Sequence, residues 1–309
     1  MTESLQDLDR HLEAASELHT VTRTMRGLAA VNLRHYERAV QAIDKFEAVV
    51  EDGLHVALRD GRIDQLPIDA PPSDAPTAMI VFGSNHGLCG PINRHVAAHA
   101  AAEAATVTSL TQVAVVGARV GAELELAGHT PDTRWDLPAT IETIPPRAEQ
   151  LLTQADKWRR RHDTARLLLV FPHFLGRHRG YEPVTLQLLP TDRDWLEWLA
   201  IRRWPSRVLP TFTMPWNVLV ADLIRQALLV RLHRSFAQTM AAVSASRLVA
   251  MDAAQRNIEE RVSNLEKQHH QLRHTEITKE LLDVVSGFEL LEQQEHGHST
   301  ANTQNRVIP

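Results

Sequence analysis

Cysteine is almost absent from this 309-residue chain, where Cys89 stands alone. A single thiol excludes an internal disulfide framework and any zinc site built on several cysteines, and it fits a reducing compartment. Aromatic residues make up only 5%, few for a large α/β enzyme and ordinary for coiled helices. Long apolar runs are missing too. No stretch of about 18 apolar residues is present, so nothing reads as a membrane span or as direct membrane insertion. Strong positive charge is also lacking, and a net charge of −5 argues against nucleic acid as the main partner. The opening Met1-Thr2-Glu3-Ser4 is acidic. It matches neither a secretory signal nor a transit peptide, so the expectation is a cytoplasmic protein of a prokaryote. Such a protein can still join a membrane complex through other subunits.

One further absence organises the chain. Between Pro215 and Gly287 there is no glycine or proline for about 70 residues, and Leu, Ala, Arg, Glu and Gln dominate. As one helix, Trp216 to Ser286 would be about 105 Å long. A compact globule of this chain length is only about 50 Å across. The helix must therefore project or break, and it reads as a shaft. Its apolar stripe runs Leu228, Leu232, Phe236, Met240, Val243, Ile258, Val262, Leu265 and Leu272. A second phase follows at Ile277, Leu281, Val284, Phe288 and Leu291. The five-residue step from Leu272 to Ile277 rotates the stripe.

Residues 1–58 predict a second long helix. Leu5, Leu8, Leu12, Ala15, Leu18, Val21, Met25 and Leu28, then Leu33, Tyr36, Val40, Ile43, Phe46 and Val50, recur mostly at steps of three and four. Phase slips near Ala15–Leu18 and Leu28–Leu33 argue against a strict heptad. Residues 59–77 hold Pro67, Pro71, Pro72 and Pro76 and read as an extended linker. From 78 to 210 apolar strand-like runs alternate with helical ones. Strands are predicted at Ala78–Phe82, Val113–Val116, Leu167–Phe171 and Val184–Leu189, with an edge strand somewhere in 128–143. Helices are predicted at Pro91–Ala105, Arg119–Ala127 and Pro146–His162. This pattern indicates a small, largely parallel, Rossmann-like sheet domain. The Trp-rich stretch Asp192–Pro210 is either an amphipathic turn packed on that domain or a subunit contact. Residues 211–291 form the long C-terminal helix, and 292–309 read as a disordered tail. The fold class is thus α/β plus long helices. The two terminal helices pair as an antiparallel coiled coil, with both chain ends at one tip.

These residues resemble a known family. Thr20-Val21-Thr22-Arg23-Thr24-Met25-Arg26, with Leu28-Ala29-Ala30 and Leu33-Arg34, is similar to the first helix of the gamma subunit of F-type ATP synthases. Gly87-Leu88-Cys89-Gly90, followed by Asn93, resembles that family's motif after its first strand. Ile277–Gly287 resembles its C-terminal signature, and Ser244–Met251 the segment before it. The resemblance implies a rotor subunit inside a ring of three alpha and three beta subunits. Its sheet domain would meet the epsilon subunit and the membrane c-ring, at the cytoplasmic face of a prokaryotic inner membrane. It further implies that Arg273, His274 and Thr278, and on the facing helix Arg23, Met25 and Arg26, touch beta. Pro91, the acidic start of the first helix and His274 depart from the common pattern. They point to a divergent branch of the family, the alternative, sodium-type ATPases among them.

Catalytic, cofactor and metal sites are not expected. Cys89 near His86 reads as a small buried hydrophobe and not as a nucleophile with its base. Gly83, Gly87 and Gly90 lack the Lys-Ser/Thr of a phosphate-binding loop and read as a strand-to-helix turn built on Gly87, Leu88, Cys89 and Gly90. His270 and His274, one turn apart, lack a third ligand near in sequence. The alternative function is a small α/β enzyme or ligand-binding domain dimerised through coiled-coil arms. A DNA-compacting coiled coil is a weaker third reading, disfavoured by the acidic balance.

Overall fold

The computed structural model describes residues 4–59, 62–66, 71–72, 74–177, 179–204, 206–208 and 210–303. Internal contacts divide the chain into two units, Met1–Thr24 with Ala253–Pro309, and Met25–Asp252. Helix α1 runs Leu5–Leu58 and helix α6 runs Trp216–Thr303.

In the first unit the two helices are antiparallel. Asp9 meets His269 at 3.1 Å and His19 meets Glu259 at 3.3 Å, so ten residues forward on α1 match ten backward on α6. Leu8, Ala15 and Leu265 are buried between them. In the second unit Arg26 pairs with Asp252 at 2.8 Å and Asp44 with Arg234 at 3.1 Å, again antiparallel.

Burial along α1 corrects the expected stripe. In the first unit the covered positions include Leu8, Leu12, Ala15, His19 and Thr22. In the second they include Ala29, Leu33, Tyr36, Val40, Ile43, Glu47, Val50 and Leu54, with Met25 and Ala39 covered beside them. These positions step alternately by four and three, as in a heptad seam. Leu18, Val21, Leu28 and Phe46, counted in the stripe from sequence, are 46–60% exposed. The slip near Ala15–Leu18 arose because polar His19 and Thr22 take seam positions, and the slip near Leu28–Leu33 because Ala29, not Leu28, is covered.

The second unit contains a five-stranded sheet in the order β3-β2-β1-β4-β5. Its strands are β1 Thr77–Phe82, β2 Leu110–Val116, β3 Thr133–Trp135, β4 Arg166–Gly176 and β5 Gly180–Leu189. β1 is parallel to β2 and β4, β2 is parallel to β3, and β5 is antiparallel to β4. β4 and β5 outrun the expected strands because Pro172 lies opposite Pro183. β4 has no β1 partner past Val170. There a missing N–H can face away from the ladder. Alternation on β1 divides the core. Ala78, Ile80 and Phe82 face α4 (Ile144–His162), α1 and α6, whereas Met79 and Val81 face α2 (Ile92–Thr106) and α3 (Ala118–Leu126).

Residues 235–246 of α6 are buried without interruption. Phe236 meets Phe82 edge-on at 5.1 Å, and Ala241 and Ala245 pack on Leu33. Two expectations change at the ends of the domain. The Trp-rich segment forms helix α5, Arg193–Ile201, whose Leu196 and Leu199 pack on Leu54 and Leu58 of α1 and Val220 of α6. Arg231 stacks over Trp195 at 4.3 Å, and Arg202 pairs with Asp52. Residues 292–303, expected as a disordered tail, are helical, while 304–309 lie outside the described residues. Glu292–Glu295 are good helix formers, and adding them to an existing helix needs no new nucleus. Of the expected linker, 62–65 form a short 3-10 turn, and 60–61, 67–70 and 73 lie outside the described residues. No described helix is long and apolar enough to cross a membrane.

All six tryptophans lie in Met25–Asp252, so their fluorescence reads this unit. Phe236→Ala empties a fully buried aromatic site and is expected to lower the stability of this unit by about 3–5 kcal/mol in urea titrations. His233 buries its Nε2 without a hydrogen-bond partner among the described residues, and burial lowers its pKa from 6.5. The unfolded chain therefore takes up this proton first. Stability is full above about pH 6.5 and is lost as pH falls through the depressed folded value. His233→Leu should flatten that slope relative to wild type between about pH 7.5 and 5.5.

Candidate functional site

The glycine-bearing turn after β1 is held by its own side chains. Ser84 N–H donates to Asn93 Oδ1 at 2.9 Å, and Asn93 Nδ2 donates to Ser84 Oγ at 2.9 Å. Asn93 is buried in the first turn of α2, so both ends of the turn are clamped. Positive φ falls on Leu88 (60°) and Gly90 (62°), not on Gly83 or Gly87. Gly83 is needed for closeness, since a Cβ there would stand 2.4 Å from Val120 Cβ. Ser246 of α6 donates to Cys89 O at 2.6 Å and ties the turn to the long helix. Cys89 is buried among Val81, Ile92 and Val96. His86 reaches it through a backbone carbonyl at 3.6 Å from the sulfur and not through the imidazole. This arrangement offers no thiolate–imidazole pair. Among the described residues no group of three or more His, Cys, Asp or Glu can hold a metal.

The candidate contact residues fall into two patches. Arg273, His274 and Thr278 lie exposed on α6 of the first unit, and Thr278 Oγ1 donates to His274 O at 2.8 Å. Beside them Ile277, Leu281, Leu282, Val284 and Val285 are between 44% and 61% exposed. Since α1 begins at Leu5 and Asp9 already faces His269, this part of α6 has run past the start of its partner. Arg23, also in the first unit, is exposed one turn beyond His19 on α1. By the antiparallel register it sits about 25 Å along the helix axis from the level of Arg273, so the two patches do not meet. Met25 and Arg26 belong to the second unit. Met25 is half-buried, and Arg26 Nε pairs with Asp252 at 2.8 Å. The sequence reading missed Asp252 and Glu259, which engage Arg26 and His19. Opposite charges at matched positions of two antiparallel stripes were the available signal.

A family model described as ATP synthase matches residues 4–291. The ATP synthase gamma chain of Anaeromyxobacter dehalogenans (strain 2CP-C) is 25% identical over 298 residues, covering 93% of this chain and 99% of that protein. The gamma chain of Desulforamulus reducens is 25% identical over 303 residues, covering 94% and 99%. Among solved structures, a chain of the Euglena gracilis mitochondrial ATP synthase OSCP/F1/c-ring assembly in rotational state 3 has a TM-score of 0.62 at 14% identity, covering 99% of this chain and 97% of that one. A chain of the Tetrahymena thermophila mitochondrial ATP synthase central stalk/c-ring has a TM-score of 0.55 at 17% identity, covering 76% and 99%. The paired terminal helices, the sheet between them and a family match from residue 4 to 291 together place the chain in the gamma-subunit family of F-type ATP synthases, the family of the central-stalk rotor.

Proposed function

We propose that this chain is the turning, non-catalytic element that couples ion flow to ATP chemistry, with three alpha and three beta subunits around its paired helices. Residues 1–58 and 211–291 serve as the shaft helices. Residues 78–210 serve as the body that meets epsilon and the membrane c-ring. The complex sits peripherally on the cytoplasmic face of a prokaryotic inner membrane. The observation that carries this reading is the uncovered apolar row of α6. A contiguous row from Ile277 to Val285, about half exposed at each apolar position, marks a protein interface. A surrounding collar of subunits would cover it on every side as it turns.

Arg273, His274 and Thr278 border that row and supply its polar contacts to beta. The guanidinium of Arg273 can grip a carboxylate with two parallel N–H donors. Thr278 spends its proton on His274 O, which leaves its oxygen as an acceptor. Arg23 in the first unit, and Met25 and Arg26 in the second, are further residues proposed to touch beta. A beta carboxylate would compete with Asp252 for Arg26, an exposed pair of little net stability. Three equivalent stator sites around one asymmetric pair of helices meet three different sets of these groups. Their nucleotide affinities differ by the difference in contact free energy, and each rotation step exchanges the sets.

The purified chain alone is expected to hydrolyse no ATP. Mixed in equal amount with alpha and beta chains, it should co-purify as one large complex with restored hydrolysis; ATPase activity of the isolated chain would overturn the reading. Arg273→Ala combined with His274→Ala should reduce ion pumping per ATP hydrolysed by about tenfold, the worth of one or two charge-assisted hydrogen bonds. Both side chains are exposed, so thermal stability of the free chain should stay within about 2 °C. Parallel losses of stability and coupling would remove the contact interpretation.

A further inference from the structure

The carboxyl ends of β1 and β3 open onto a small cavity of about 210 Å³, lined partly by Met240 and Val243. Its walls come from the loop after β1 (Ser84, His86), the loop after β3 (137–139), α1 (Asn32, Tyr36) and α6 (Ser244, Arg247). All of these lie within Met25–Asp252. The walls carry one guanidinium and no carboxylate.

Several wall groups are already committed. Tyr36 donates to Ala139 O at 3.2 Å, Asn85 exchanges hydrogen bonds with the Leu137 backbone at 2.8 and 2.9 Å, and Ser84 donates to His86 O at 2.8 Å. These bonds make the cavity rigid. Ser244 differs from its neighbours on α6. Ser235 and Thr239 return their hydroxyls to carbonyls one turn back, at 2.9 and 2.7 Å. Ser244 is only 3% exposed, yet its hydroxyl makes no hydrogen bond among the described residues. The same holds for the side-chain amide of Asn32 and the guanidinium of Arg247. Arg247 stands near the Tyr36 phenol. Burial raises the phenol's pKa, and the positive charge of Arg247 pulls it back down. Glu142 also acts on that phenol, but its carboxylate is held by the Thr140 hydroxyl and by its own backbone N–H.

We propose that this cavity is a binding site for a small tetrahedral oxyanion of the phosphate class, with Arg247 as its charge and Ser244, Asn32 and His86 as its donors. Asn32 and Arg247 are half-buried, His86 is exposed, and donors that face one cavity in this way can share a single oxyanion. A guanidinium fork matches two oxygens of such an ion. The carboxyl ends of parallel strands are where α/β sheets present their loops to ligands. Size excludes a nucleotide, since ligand pockets of that kind run from about 300 Å³ upward. The cavity holds one anion and a few waters of about 30 Å³ each. The site is distinct from the contacts proposed with beta and does not depend on them.

The test uses the full chain, with thermal unfolding followed by tryptophan fluorescence. Potassium phosphate is titrated at constant ionic strength against potassium chloride, with potassium acetate as a carboxylate control. A saturable rise in Tm with phosphate and none with acetate is expected, with half-saturation below about 50 mM. Arg247→Gln should weaken the apparent Kd at least about tenfold, the loss of one charge-assisted contact. No saturable phosphate effect, an equal effect of acetate, or an unchanged Kd in Arg247→Gln would overturn the proposal. Should Arg247→Gln not fold, Ser244→Ala decides it through phosphorus-31 line broadening. At least about threefold weaker binding supports the site, and unchanged binding overturns it.

Discussion

Residues 235–246 of α6 are the part of this molecule on which the sheet domain depends. A helix can be buried on all faces only if it is apolar or small all round and its few polar groups find partners. This segment meets both conditions. Ala237, Ala241, Ala242 and Ala245 let α1 and the glycine-bearing turn approach closely. Phe236 and Met240 fill the space above β1 and α4. Gln238 accepts the Phe174 N–H at 2.9 Å, at the end of β4 beyond its pairing with β1. Ser246 fastens the turn that carries Cys89. The long helix is therefore a core element of the sheet domain along this stretch.

The same logic separates what holds α1 to α6 from what sets their register. Apolar seam residues such as Leu33, Val40, Val50 and Leu54 are buried and supply the association free energy. The ion pairs Arg26–Asp252 and Asp44–Arg234 lie at partly exposed flanks, where each adds little stability. Their contribution is alignment, because a seven-residue shift would set Asp44 against Ala227 or Ala241 and leave it without a cation. Arg26 carries both roles, alignment within the chain and the proposed contact outside it.

Much of this was readable beforehand. Alternating strands and helices announced the sheet, and β1 and β2 fell where apolar runs predicted. The helix boundaries of α2, α3 and α4 agreed within two residues. β4 and β5 run past the expected apolar runs, through Pro172 and Pro183, because a sequence does not say which strand edge faces outward. The heptad seam of α1 was concealed by His19, Thr22 and Glu47, whose burial depends on a facing helix more than two hundred residues away in the first unit and almost as far in the second. The turn at Gly87–Gly90 was legible as a turn. That its positive φ falls on Leu88 was not, since only the surrounding packing holds a leucine there.

The sequence by itself determined two long helices, a mainly parallel sheet and a family signature concentrated at both ends of the chain. Those are properties of local periodicity and short motifs, and both are written in neighbouring residues. Only the tertiary structure decided which seam residues are covered, which apolar row of α6 is left bare, and that Asn32, His86, Ser244 and Arg247 face one cavity. Each of those outcomes depends on distant segments meeting, and the free energy of such meetings resides in burial and partner geometry that no single stretch of sequence contains.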